Sequence, residues 1–323
     1  MTAPRRGELL LLTGAVLFVL ISAEVAVRIV AGGAPPVTGY APVDTNRRAA
    51  RPINPRGYRD HARAMPKPAG VRRVLSLGDS FAWGASVEFE DAYPQRLERA
   101  LTRRRGQTWE VVNLARPGMA AVDHAAQLAA EGDAYAPDVV LLGYVLNDSQ
   151  DAAAAEAQRA QDWVKNPPPT PGRSAVLTLI RTRLWATAEN RRRVAGYRSM
   201  YADDAPGWIA ARQSLKMMGA WCRQRGVPFV VAIFPLFGNP LDDSYPFAEA
   251  HARVAQAAAE AGARVVDLLP AYRGLRWDVL VVDGTDDEHP NEIAHRIAAG
   301  VILRALDDVV PFGAAQTQSA PQP

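Results

Sequence analysis

The chain has 323 residues, which is enough for one large domain or two modest ones. Its hydrophobic content of 48% and charged content of 22% are those of an ordinary globular protein with a substantial core. The formal net charge is only +3 and the arginines are dispersed, which argues against nucleic acid as a partner; the single cysteine excludes an intramolecular disulfide and a cysteine-rich metal site.

The amino-terminal segment is apolar enough to enter a membrane. As one helix, Leu9–Ala31 is long enough to cross about 30 Å of hydrocarbon. Arg5 and Arg6 precede it, and no small-x-small cleavage site follows the apolar run. We therefore predict that residues 1–31 are a single-pass membrane anchor with the rest of the chain outside the cytoplasm; the alternative is a cleaved signal peptide and a secreted protein.

Two charged residues interrupt this apolar segment. Glu24 and Arg28 are four residues apart, so on a helix they share a face and can form an ion pair. A carboxylate within a membrane is energetically costly and usually has a functional role. A polar contact with a membrane-protein partner is therefore the alternative to an ion pair at the interface.

The chain after the anchor has three compositional parts. Residues 32–70 are a linker that becomes an ordered lead-in near Asn54–Arg59, and residues 71–310 alternate between short apolar runs and helical stretches. This alternation predicts a parallel α/β sheet covered by helices on both faces. The predicted strands are Val74–Leu77, Trp109–Leu114, Val139–Tyr144, Phe229–Phe234 and Arg264–Leu268. The predicted helices are Tyr93–Arg105, Val122–Ala134, Trp208–Arg225, Pro246–Ala261 and Glu292–Leu306.

One region interrupts the alternation. Residues 149–206 are too long for a simple strand-to-helix connection and include a basic helix from Ser174 to about Arg193. This insertion follows the third strand, so it is expected to rise over the carboxyl edge of the sheet as a cap; an inert elaboration and a patch lying on the membrane are the alternatives. The polar tail 311–323 is expected to be disordered.

The most informative stretch is Gly78-Asp79-Ser80, directly after the first predicted strand. It leaves a hydroxyl at the carboxyl edge of the sheet, where open α/β folds carry their chemistry. A serine is a poor nucleophile at neutral pH and needs a base. We predict that Ser80 is a nucleophile; the alternative is a turn serine that caps a helix.

The candidate base lies far downstream, in the acidic segment before the last helix. His289 carries an imidazole, the side chain best suited to proton exchange at neutral pH. Asp286 can accept a hydrogen bond from the ring and fix its tautomer, and Asp283 and Asp287 are rivals for that role. Two alternatives remain open here: the segment caps the helix, or its carboxylates and imidazole bind a divalent cation.

Acyl chemistry also needs donors for the negative charge that develops on the carbonyl oxygen. Gly118, after the second predicted strand, has a backbone N–H that no side chain obstructs. Asn147, after the third, has a side-chain amide that can donate. Either residue can instead be an ordinary turn residue.

Together these motifs resemble the signature blocks of the SGNH (GDSL) hydrolases. Gly78-Asp79-Ser80 is similar to the first block, Asn113–Gly118 to the second, Asn147-Asp148 to the third and Asp286-x-x-His289-Pro290 to the fifth. The resemblance covers residues 71–306. The third block usually has glycine two positions before its asparagine, where this chain has Val145. Membrane-anchored bacterial members have a similar lead-in.

The resemblance implies a flavodoxin-like sheet and assigns roles to the residues. Ser80 is the nucleophile, His289 the base and Asp286 its partner; the oxyanion donors are the N–H groups of Ser80 and Gly118 and the Asn147 side chain. No metal or organic cofactor is implied. We therefore expect a serine esterase that removes acyl groups, in particular acetyl groups, from carbohydrate or lipid of the cell envelope. An O-acyltransferase with the same site and a non-catalytic scaffold of a membrane complex are the alternatives.

Overall fold

A computed structural model describes residues 6–30, 52–85, 87–150, 164–170, 172–282 and 289–310. The chain divides into two compact units. The first comprises Met1–Ala41 and Ala157–Ala195, and the second comprises Pro42–Glu156 and Gly196–Pro323. Most of the linker and the whole tail that composition predicts lie outside the described residues.

The described residues of the second unit form a parallel sheet of five strands in the order β2-β1-β3-β4-β5. The strands are β1 (Arg72–Gly78), β2 (Trp109–Asn113), β3 (Val139–Val145), β4 (Phe229–Phe234) and β5 (Arg264–Asp267). Strands β3 and β4 are buried along their whole length, as continuous apolar runs in a doubly covered sheet should be. The predicted flavodoxin-like fold is confirmed, and its strand order reverses between β1 and β3, where such folds place their sites.

Helices cover both faces of this sheet. Among the described residues the longer helices are α1 (Arg6–Val30), α2 (Tyr93–Arg105), α3 (Ala121–Tyr135), α4 (Ala175–Met200), α5 (Pro206–Arg225), α6 (Ala248–Glu260) and α7 (Glu292–Val309). Helix α2 packs against α7 on one face, whereas α3 and α6 pack against α5 on the other. Alternating faces follow from right-handed crossovers, because the chain moves first toward β2 and then back past β1. One-turn α-helical segments are Ser80–Trp83 and Leu269–Tyr272, and 3₁₀ turns are Phe89–Asp91, Leu146–Ser149 and Trp277–Val279.

Helix α4 continues past its predicted end near Arg193 to Met200. Its last turns belong to the second unit, where Tyr197 lies edge-on to Phe247 with ring centroids 5.2 Å apart. The arginine-rich sequence does not reveal this contact. Of the predicted insertion 149–206, residues 157–195 belong to the first unit, and residues 149–156 and 196–206 belong to the second.

The lead-in before β1 is part of the second unit and is held by a buried arginine. Arg59 is fully buried, and its guanidinium donates to the carbonyls of Gly84 at 2.7 Å, Val87 at 2.7 Å and Trp83 at 3.0 Å. Burial lowers the pKa of Arg59 to about 10, so the group stays charged at neutral pH. The lead-in therefore fixes the loop that follows Ser80.

Helix α1 is the described part of the predicted anchor. Its segment Leu11–Val30 has a mean hydropathy of 2.0 and is long enough to cross a membrane. Arg28 donates to the Glu24 carboxylate at 2.8 Å, as the spacing predicts. The amino-terminal helix is thus a candidate membrane anchor or signal sequence.

A buried histidine in the core makes the fold sensitive to acid. The backbone N–H of Tyr93 donates to His295 Nδ1 at 3.2 Å. Burial, with the nearby cations Arg96 and Arg59, lowers the pKa of His295 to about 3. Because the folded pKa lies below the unfolded value near 6.5, the contribution to stability is complete above pH 6.5 and is lost as the pH falls toward 3.

We therefore expect His295→Gln to weaken the pH dependence of stability. Between pH 7 and pH 5 the wild type should lose roughly 2 kcal/mol more free energy of unfolding than the variant. Urea unfolding at the two pH values measures this difference. Identical pH dependence in the two proteins would contradict the assignment of a neutral buried imidazole.

Candidate active site

The serine loop is shaped by the residues on either side of Ser80. Asp79 caps the one-turn helix that starts at Ser80, with its Oδ1 accepting from the N–H of Phe81 at 2.9 Å. A Cβ on Gly78 would lie 2.6 Å from the Cβ of Ala82, so this position has no room for a side chain. Gly84 ends the turn in the left-handed region at φ 77°. Ser80 is thereby presented at the carboxyl end of β1.

The imidazole expected from the far end of the chain lies beside this hydroxyl. His289 Nε2 is 2.9 Å from Ser80 Oγ, within hydrogen-bond reach for a base and its nucleophile. The His289 ring also lies 5.6 Å from the ring of Phe81, measured between centroids. Two side chains separated by 209 residues thus meet at one edge of the sheet.

Backbone and cap contacts hold His289 in place. The carbonyl of His289 accepts from the N–H of Val282 at 3.1 Å, and the neighbouring Pro290 forms an antiparallel bridge with Val281. Asn291 then starts α7, where its Oδ1 accepts from the N–H groups of Ile293 at 3.0 Å and Ala294 at 3.2 Å. Asp286 and its rivals Asp283 and Asp287 lie outside the described residues.

The two candidate oxyanion donors follow the neighbouring strands. Gly118 is exposed on the loop after β2, with φ 79°, a left-handed conformation that favours glycine. This loop is tied to the serine loop by the bond from the N–H of Arg116 to the carbonyl of Gly78 at 3.2 Å. Asn147 lies half-buried after β3, and its Nδ2 donates to Asp79 Oδ2 at 3.3 Å. Their roles as donors stay a prediction.

The departure at Val145 does not disturb the backbone that leads to Asn147. Val145 has φ −112° and ψ 151°, which is extended backbone that any residue adopts. Its N–H donates to Asp148 Oδ2 at 3.2 Å. The chain therefore reaches Asn147 without needing a glycine at this position.

A cluster of buried polar groups near the site was not foreseen from the sequence. Burial raises the pKa of Asp79 to about 6, with a further contribution from the neighbouring Asp148. Burial also raises the pKa of Asp148 well above its usual range and lowers the pKa of His124 to about 4. His124 Nε2 and Asp148 Oδ2 are 3.6 Å apart, too far for a hydrogen bond, and both groups favour their neutral forms. In the sequence, Asp79 directly precedes Ser80 and Asp148 directly follows Asn147. This position within the motifs was the signal that could have identified the two aspartates.

We expect Asp79→Asn to lower kcat about 10- to 100-fold on an acetyl ester. The carboxylate of Asp79 accepts from Asn147 Nδ2. An asparagine at position 79 has only one side-chain oxygen, so its amide or that of Asn147 must rotate to avoid bringing two NH₂ groups together. We expect this rotation to misdirect the Asn147 side chain. Steady-state rates at pH 8 measure the effect. Asp123→Asn is the matched control, since its carboxylate also accepts a helix-start N–H, that of Ala120 at 2.8 Å. Equal rates for the two variants would contradict the positioning role of Asp79.

A sequence model of the GDSL-like Lipase/Acylhydrolase family matches residues 76–297. The chain belongs to this family. The resemblance drawn from the four motifs is thereby confirmed, and this GDSL-like protein is a hydrolase that acts on ester bonds. A search of curated protein sequences finds no significant match.

Solved structures with related folds share little sequence with this GDSL-like hydrolase. TesA is 16% identical with a TM-score of 0.46, over 74% of this chain and 100% of TesA. A catalytic mutant of Axe2, an acetylxylan esterase from Geobacillus stearothermophilus, is 17% identical with a TM-score of 0.48, over 73% of this chain and 94% of Axe2. A two-domain esterase active on acetylated mannans is 14% identical with a TM-score of 0.47, over 75% of this chain and 50% of the esterase. Family membership therefore rests on the sequence model.

Proposed function

We propose that this hydrolase removes acetyl groups from carbohydrate or lipid of the cell envelope through an acyl-enzyme on Ser80. The observation that carries the proposal is the distance of 2.9 Å between Ser80 Oγ and His289 Nε2. A hydroxyl and an imidazole at this distance can exchange a proton directly, which is the requirement for activating a serine at neutral pH.

The proposed reaction has two halves that use the same groups. His289 takes the proton of Ser80 as Oγ attacks the carbonyl carbon, and it returns that proton to the departing alcohol oxygen when the ester bond breaks. Water then loses a proton to His289 as its oxygen attacks the acyl carbon, and His289 passes that proton to Ser80 Oγ when the acyl–Oγ bond breaks, which releases acetate and restores Ser80. Asp286 is the proposed partner of the imidazole in both halves.

The developing oxyanion is assigned three donors. These are the backbone N–H groups of Ser80 and Gly118 and one hydrogen of Asn147 Nδ2. The second hydrogen of that amide is directed at Asp79 Oδ2, so the amide is oriented before substrate arrives. Donors fixed in advance stabilise the transition state without reorganisation when the charge develops.

A small acyl group suits the packing beneath the site. The ring of Phe81 lies edge-on to Phe234 at 5.8 Å and stacked on Phe237 at 6.3 Å, measured between centroids. All three side chains are buried, so aromatic rings occupy the apolar space next to Ser80. The neighbouring Gly118 loop is exposed, which suits a bulky alcohol portion that extends into solvent.

The proposed location is the outer face of the cytoplasmic membrane. The apolar helix α1 leaves its large side chains exposed, among them Leu11 at 77% and Phe18 at 72%, as expected for a surface that lipid covers. With the cationic head inside, the second unit lies outside the cytoplasm, where acetylated envelope carbohydrate or lipid is within reach.

Labelling with a fluorophosphonate probe tests the proposal, since such probes react with activated serines. Wild type should be labelled, whereas Ser80→Ala and His289→Ala should not. Ser244→Ala, which removes an exposed hydroxyl bonded to Asp242, is the matched control and should be labelled like wild type. Labelling of Ser80→Ala, or absence of labelling in a folded wild type, would overturn the proposed nucleophile. Product analysis with and without a glycan acceptor then separates hydrolysis from acyl transfer.

A further inference from the structure

The carboxylate of Glu24, within the apolar helix α1, accepts hydrogen bonds from the start of helix α4. Glu24 Oε1 accepts from the N–H of Ala175 at 2.7 Å, and Oε2 accepts from the N–H of Val176 at 3.1 Å and from Ser174 Oγ at 2.8 Å. Arg28 adds a bond to the carbonyl of Arg173 at 2.7 Å. A carboxylate at a helix N-terminus satisfies unpaired N–H groups and complements the helix dipole. Glu24 therefore tethers α4 to α1.

The position of Glu24 sets the depth at which α4 begins. Glu24 lies six residues before Val30, the end of the span Leu11–Val30, which corresponds to about 9 Å along a helix. A charged group at that depth of a bilayer needs partners, and the backbone of α4 provides them. The first turn of α4 is thus placed beside the apolar part of α1, near one end of the span.

The first half of α4 carries an exposed apolar stripe. Leu177, Ile180 and Leu184 are spaced by three and four residues, so they share one helix face, and they are 61%, 48% and 67% exposed. A row of large aliphatic side chains facing water is unfavourable and marks a contact surface. Arg181 and Arg183 are exposed on the same stretch of helix.

We propose that the first half of α4, residues 175–187, lies in the boundary of an anionic membrane as a second membrane contact. The stripe enters the acyl region, the arginines reach lipid phosphates, and Glu24 holds the helix at this depth. Three observations favour lipid as the occupant: the tether to α1, the large exposed apolar side chains of α1 itself, and the arginines beside the stripe. The inference rests on the retained anchor of the proposed function and is independent of the esterase chemistry.

Quenching of a fluorophore by lipid tests this placement in the full-length protein. Single cysteines are introduced at Leu184 in α4, at Phe18 in α1 and at Ile209 in α5, and each is labelled with an environment-sensitive dye. The only native cysteine, Cys222, is buried and is replaced by alanine. The proteins are reconstituted in phosphatidylethanolamine–phosphatidylglycerol vesicles that contain spin-labelled lipid. Ile209 is the matched control, an exposed aliphatic residue on a helix of the second unit.

We expect the dyes at positions 18 and 184 to be quenched at least about twofold more than the dye at position 209. Quenching at 18 with no more quenching at 184 than at 209 would overturn the inference and leave the anchor intact. Absence of quenching at 18 would overturn the anchor itself. Mutual quenching of labelled copies at 184 without quenching by lipid would identify a second copy as the occupant and would also overturn the inference.

Two variants of Glu24 test the tether. Glu24→Leu removes the carboxylate that accepts from the N–H groups of Ala175 and Val176, so quenching at position 184 should fall toward the value at 209 while quenching at 18 stays unchanged. Glu24→Gln keeps one oxygen acceptor and should retain part of the quenching. Far-UV circular dichroism confirms that the variants are folded. Full quenching at 184 in Glu24→Leu would overturn the role of Glu24 as the tether.

Discussion

Replacing His289 with alanine is expected to lower kcat/KM for an acetyl ester by about 10⁴-fold or more. The imidazole lies 2.9 Å from Ser80 Oγ, and without it the hydroxyl keeps its proton and attacks poorly. The variant should fold normally, because the backbone carbonyl of residue 289 and the adjacent bridge do not depend on the imidazole. Hydrolysis of p-nitrophenyl acetate, corrected for the background rate, measures the loss.

A different histidine, His251, is paired with a carboxylate and provides the control for this prediction. His251 Nδ1 lies 2.9 Å from Asp267 Oδ1, on α6 and β5. His251→Ala should lower the melting temperature, because the side chain is buried, while the folded protein keeps its esterase rate. A His289→Ala variant that retained a tenth of the wild-type rate would contradict the role of the imidazole as base.

Replacing Asn147 with alanine is expected to lower kcat by about 10²–10³-fold with little change in KM. One hydrogen of the Asn147 amide is bonded to the Asp79 carboxylate. We assign the other hydrogen to the developing oxyanion. An interaction that forms only in the transition state affects kcat rather than substrate binding. Full steady-state curves on an acetyl ester separate the two effects.

The split between kcat and KM decides between two roles for Asn147. A raised KM with an unchanged kcat would mean that the amide binds ground-state substrate and would contradict the oxyanion assignment. Asn113→Ala is an instructive comparison, because its amide donates to the carbonyl of Ala82 at 2.8 Å inside the fold. That variant should lose stability, since a buried acceptor is left unpaired, and its folded fraction should keep the KM of wild type.

Most elements of the sheet and its covering helices were predictable because each carries a local signal. The strand Phe229–Phe234 coincides with its apolar run, and the helix Tyr93–Arg105 ends where Gly106 adopts a left-handed φ of 60°. The extension of α4 to Met200 was missed because it depends on Tyr197 and Phe247, which are distant in the sequence.

The order of the site motifs along the chain was predictable, whereas the buried groups around them were not. Ser80 and His289 were paired because a serine nucleophile needs a base and because the four motifs resemble the blocks of one family. The low pKa of His124 and the raised pKa of Asp148 depend on burial, which no local pattern reveals. Glu24 was paired with Arg28, four residues away, but not with the start of α4, because that contact joins residues 150 positions apart in the sequence.

The buried guanidinium of Arg59 limits how this enzyme can be shortened for work in solution. The family match begins at residue 76, so a fragment cut at that boundary lacks the lead-in that carries Arg59. The carbonyls of Trp83, Gly84 and Val87 would then lose their shared donor, and the turn after Ser80 would be free to open. An active soluble truncation must therefore start upstream of Asn54, whose side chain accepts from the N–H of Tyr58 at 3.1 Å and shapes the turn leading to Arg59.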